Sequence, residues 1–175
     1  MMLLAQLTAA EGSSSALARL AEPWNSLYSD NKVVSATVVF LHLVPLLLAG
    51  GAALSADRAT LRASRGSAED RSRQLGELAR VHALVLGGLA LSFISGVLLF
   101  LADVDEFLGS PFFWVKLGLI GLLLLNGFMM TRTERALAGG GNETTLWARL
   151  RTIAVLSVTL WIVTTLAGVV LMTYA

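Results

Sequence analysis

The sequence contains no cysteine in 175 residues. Disulfides, thiolate zinc sites, cysteine-held iron–sulfur clusters and covalent c-type haem attachment are thereby excluded. Any metal or cofactor must be held by His, Met, Lys, carboxylates or backbone groups. Charge is scarce as well: 14% of residues are charged, against about 25% in soluble domains. No Walker motif, nucleophile elbow, HExxH or acidic pair occurs, and no basic–aromatic surface points to nucleic acid. Met1 to Ala10 is apolar but short and lacks a basic region, so it makes a poor signal peptide.

What is present is four long apolar stretches with nearly all the charge between them. They run Val33 to Leu54, Val81 to Ala102, Pro111 to Met130 and Ile153 to Tyr174. A bilayer crossing takes about 20 helical residues, and each stretch suffices. None shows the strict alternation of a barrel strand. Helix is the spanning form that satisfies its own backbone hydrogen bonds in lipid. The expected fold is all-α: an integral membrane, antiparallel bundle of four transmembrane helices over 33–175. An external N-terminal segment, 1–32, precedes it.

Arginine placement sets the expected orientation. The 13 Lys and Arg residues include Lys32 and Lys116, which leaves eleven arginines. Arg58, Arg62, Arg65, Arg71, Arg73 and Arg80 fall in the first connection, and Arg132, Arg135, Arg149 and Arg151 in the third. The second connection has Asp103, Asp105 and Glu106 instead. The positive-inside rule makes the first and third connections cytoplasmic and the acidic one external. Both termini then lie on the outer, periplasmic side of the inner (cell) membrane. The segment Ser13 to Asn31 reads as either a plain tail or an interfacial helix broken at Pro23, with Trp24 and Tyr28 as anchors. Ala68 to Arg80 reads as a cytoplasmic extension of the second helix, and Gly139-Gly140-Gly141-Asn142 as a turn.

Helices in lipid associate through small residues that let backbones approach. Gly88, Ser92 and Gly96 form such a stripe on the second helix, Ser35, His42, Ala49 and Ala53 share a face of the first, and the third carries Gly118 and Gly121. These stripes are expected to face the bundle interior.

An ionisable residue at membrane depth is a functional hypothesis by default. His42 lies roughly 14 Å below the outer surface, at ~1.5 Å per residue from Val33. Its imidazole suits a metal ligand or a proton relay. The plainer alternative is a neutral His bonded to a Ser or Thr on a facing helix. Lys116 lies roughly 8 Å below the same surface. It either reaches up to Asp103, Asp105 or Glu106 or binds an acidic group on a cofactor. Ser92, Ser95, Thr164 and Thr165 come out in the same outer half. His82 opens the second helix at the opposite edge, roughly 15 Å from His42 in depth, too far to share one iron. Met129 and Met130 form no MxxxM ladder for a copper path.

The first helix reads Phe40-Leu41-His42-Leu43 and then Gly50-Gly51. The second ends in Ser95-Gly96-Val97-Leu98, and the third opens Phe113-Trp114-Val115-Lys116-Leu117 before Asn126 and Arg132. This pattern, from Val33 to Arg132, resembles the copper-resistance protein D (CopD-like) family and the related small four-helix HemJ-type membrane proteins. The resemblance implies a b-type haem in the bundle, with His42 and Lys116 as the cofactor-binding residues and His42 as the metal ligand. The expected role is redox or electron transfer. The alternatives are a cofactor-free accessory subunit of a larger membrane complex and copper uptake. Expected partners are the lipid bilayer and other membrane subunits or further copies of the chain, with no nucleic acid. No residue is singled out as catalytic.

Overall fold

The computed structural model describes residues 2–174, with side chains from 16 to 173; the side chains of Met1 to Ala10 lie outside the described residues. Six helices follow in order: α1 (Met2–Asp30), α2 (Lys32–Ala63), α3 (Ala68–Ala102), α4 (Val104–Gly109), α5 (Pro111–Ala138) and α6 (Glu143–Tyr174). No strand occurs among the described residues. α2, α3, α5 and α6 are long and apolar enough to cross a membrane, which agrees with a membrane helical bundle.

Each long helix overruns its apolar stretch at the arginine-rich end or keeps a polar first turn there. α2 continues to Ala63 and α5 to Ala138, while α3 starts at Ala68 and α6 at Glu143. The extension expected for Ala68 to Arg80 is therefore helical. Local chemistry explains the starts. Asn31 Oδ1 accepts the N–H groups of Val33 (3.0 Å) and Val34 (3.3 Å), which caps α2. Ser67 and Asp70 form a capping box at α3: the Ser67 hydroxyl accepts the Asp70 N–H, and Asp70 Oδ2 accepts the Ser67 N–H at 2.9 Å. Ser67→Ala removes that reciprocal pair. It is expected to lower thermal stability by about 1 kcal/mol, and Ser67→Thr should restore most of the loss in the same melting assay. Pro111 opens α5 at a position where its missing N–H costs nothing. The turn between α5 and α6 places Gly140 at φ 77°, a backbone conformation that favours glycine.

α2 packs along α3, α5 along α6, and α2 along α6, while α3 and α5 approach each other only sparsely. The neighbour order is therefore α3–α2–α6–α5. At the arginine-rich end all four helices share one apolar cluster of Ala63, Leu78, Met130, Leu137, Trp147, Leu150, Ile153 and Ala154. A smaller cluster of Ala49, Leu123 and Trp161 sits midway. Toward the acidic end Ser92, Ser95 and Thr164 are among the buried residues. Phe100 stacks on Phe113 at 5.5 Å, with Phe107 against both, under the short α4. At the start of α4, the Asp103 side chain hydrogen-bonds to the Glu106 carboxyl and repels its charge, which raises the Glu106 pKa above the ordinary value.

Two expectations need correction. α1 is not broken at Pro23; the helix runs through it. Tertiary anchors hold this segment: Trp24 Nε1–H donates to the Leu98 carbonyl at 2.8 Å, and Asn25 Nδ2 donates to that of Ala102. Those bonds to the end of α3 offset the hydrogen bond that Pro23 cannot make. Gly118 and Gly121 do not face the interior, because a Cβ added at either meets nothing within 4 Å. The buried seam of α5 is Leu123, Asn126, Met130, Thr133 and Leu137. That alternating spacing of three and four puts both glycines on the other face.

Candidate functional site

Pro45 lies inside α2 and has no N–H to give the carbonyl four residues earlier. That carbonyl belongs to Leu41, next to His42. Such a group in an apolar surrounding must find another donor. Ser95 of α3 supplies a hydroxyl 3.2 Å from the Leu41 oxygen. The neighbouring His42 carbonyl accepts the Ser92 hydroxyl at 2.7 Å. The two serines are thus the polar complement of a proline-opened turn.

The imidazole completes the arrangement. His42 Nδ1 lies 2.9 Å from the Ser92 carbonyl oxygen and 3.3 Å from Ser95 Oγ. A carbonyl only accepts, so Nδ1 carries a proton, and in the neutral ring Nε2 keeps its lone pair. Among the described residues His42 hydrogen-bonds through Nδ1 and not Nε2. Gly96 makes room for the ring: a Cβ there would stand 3.2 Å from His42 Cε1.

Lys116 is within electrostatic range of His42. Its Nζ lies over Gly168 of α6, 3.6 Å from where a Cβ would be. Among the described residues it makes no ion pair, with Asp103, Asp105 or Glu106 or with any other carboxylate. One turn before Gly168, the buried Thr164 hydroxyl has no hydrogen-bond partner. Thr165 instead donates to its own helix, at the Trp161 carbonyl. His42, Lys116 and Thr164 therefore stand toward the acidic end of the bundle, each with unused bonding capacity.

His82 stands apart, as expected from its depth, but it has a partner that sequence reasoning missed. Its Nδ1 lies 3.4 Å from Glu134 Oε2, linking α3 to α5 at the arginine-rich end. Glu134 was hidden among the charges following the third apolar stretch. Asp57 was missed too; it is buried on α2 beyond Leu54. The serines that hold His42 were legible in principle, since a proline within an apolar helix calls for a donor opposite. No group of three or more His, Cys, Asp or Glu side chains gathers as a metal site among the described residues.

Four long apolar helices, with a histidine and a lysine held inside near one end, place the chain in the class of multi-pass membrane proteins by length and composition. No family model matches it, and neither a curated protein nor a solved structure does.

Proposed function

We propose that this chain is an antiparallel four-helix membrane protein that binds a b-type haem near its acidic end, with His42 Nε2 as the iron ligand. One observation carries the reading. The His42 Nδ1–H is tied to the Ser92 carbonyl, the partner that orients a metal-ligating imidazole and leaves the other nitrogen to coordinate. The rest of the donor set fits as well. The unpaired Lys116 ammonium suits a propionate, and the Thr164 hydroxyl suits a polar substituent or an ordered water. When bound, the haem would supply one-electron redox chemistry. The chain's own residues orient the ring, balance acidic charge and exclude bulk water. The likeness to the CopD-like and HemJ-type proteins supports the same assignment. A visible spectrum of the protein, purified after expression with ample haem, tests it. A Soret band that responds to dithionite is expected, and a colourless protein overturns the reading.

The acidic connection faces the outside and the arginine-rich connections face the cytoplasm, with both termini external. The distribution of arginines supports this orientation. Ala68 and Asp105 are both exposed and lie at opposite ends. In intact cells Asp105→Cys is expected to react with an impermeant thiol reagent and Ala68→Cys to resist it. The reversed pattern would invert the topology.

A further inference from the structure

Asp57 is 2% exposed. It lies on α2 one turn beyond the apolar stretch, facing α6, where Ser157 offers its hydroxyl to the carboxyl group. The other oxygen, Oδ2, is buried and has no partner. No Lys, Arg or His forms an ion pair with Asp57 among the described residues.

The surroundings are neutral on every packed side. On α3, the buried residues toward the arginine-rich end are Gln74 and Leu78. The Gln74 amide is already spent on the Ala56 carbonyl (3.2 Å) and Thr60 Oγ1 (3.1 Å). On α6, Ala154, Ser157 and Trp161 line the buried face. Arg58 and Arg62 of α2, Arg73, Glu77 and Arg80 of α3, and Arg149 and Arg151 of α6 are exposed. Arg71 is engaged with Glu143 and Trp147. His82 and Glu134 engage each other between α3 and α5.

An ionised carboxylate needs counter-charge or a full set of donors when water is removed. Asp57 has neither. We infer that the Asp57–Ser157 pair is a proton-binding site between α2 and α6 at the arginine-rich end, separate from His42 and Lys116. The Asp57 carboxylate takes a proton from water on that side to become the neutral acid and returns it to the same side. The neutral carboxyl gains an O–H donor while still accepting from Ser157, whereas the ionised group only accepts. This inference is independent of haem binding, because neither residue touches the His42 site.

Infrared spectroscopy of the full chain in bilayers reads the site directly. At about pH 5 an ordinary aspartate, with a pKa of ~3.9, is ionised. The wild type is expected to show the C=O stretch of a protonated carboxylic acid, shifted on exchange into heavy water. Asp57→Asn mimics the neutral acid, so it should fold normally and lack the Asp57 component of that band. Glu134→Gln should leave that component in place. Ser157→Ala removes the bonded hydroxyl and should displace its frequency, which keeps the test decisive if Asp57→Asn fails to fold. Wild-type and Asp57→Asn spectra that superimpose in this region would overturn the inference. So would an Asp57 component that is unmoved in Ser157→Ala.

Discussion

His42→Ala is expected to abolish the Soret band of haem-loaded protein while leaving helix content unchanged. Alanine has no donor for iron. The loss also frees the Ser92 carbonyl and opens space beside Gly96, so a stability cost of roughly 1–3 kcal/mol should accompany the spectral change. Two companions separate coordination from packing. Lys116→Met keeps the aliphatic stem but removes the charge. It should weaken cofactor retention less severely, without removing the band. His82→Ala breaks the contact with Glu134 at the far end and should leave the spectrum as it is. A His42→Ala protein with an unaltered Soret band would assign the iron to another ligand and sink the His42 site.

The second large effect concerns Gly88. A Cβ at this position would stand 2.8 Å from Ala49 Cβ and 2.9 Å from the Pro45 carbonyl oxygen. Both obstacles are backbone or fixed to it, so α2 and α3 must separate to admit even one methyl group. Gly88→Ala is expected to cost about 1–3 kcal/mol, and Gly88→Leu to prevent assembly of the helix pair. Gly87 is the control next door, since a Cβ there meets nothing within 4 Å. Gly87→Ala should be neutral or slightly stabilising, because alanine is the better helix former by up to about 1 kcal/mol. Equal melting temperatures for Gly88→Ala and Gly87→Ala in detergent would refute the close approach.

Gly88 lies against a neighbouring helix, whereas Gly118 and Gly121 have open space beside them. Gly88 and Gly96 belong to a spacing-four stripe shared with Ser92, and that local pattern lies against α2. Gly118 and Gly121 looked alike as composition but sit off the seam marked by Leu123, Asn126 and Met130. The four apolar helices and the α3 extension were legible because length and charge placement are properties of the chain alone. His42 and Lys116 were legible because charge-bearing groups are rare in such stretches. The Glu134 contact with His82 and the burial of Asp57 depend on which helix lies opposite. No single-helix pattern states that. The same holds for α1, where Trp24 and Asn25 reach carbonyls of α3 more than seventy residues away.

The neighbour order α3–α2–α6–α5 has a mechanical meaning. Four helices joined as a row have two margins, and here the margins are α3 and α5, bridged at the arginine-rich end by His82 and Glu134 and at the acidic end by the stack of Phe100 on Phe113. Parting them leaves the three tight helix pairs intact, much as a book opens about its spine. In a bilayer that slit would face acyl chains on its flank.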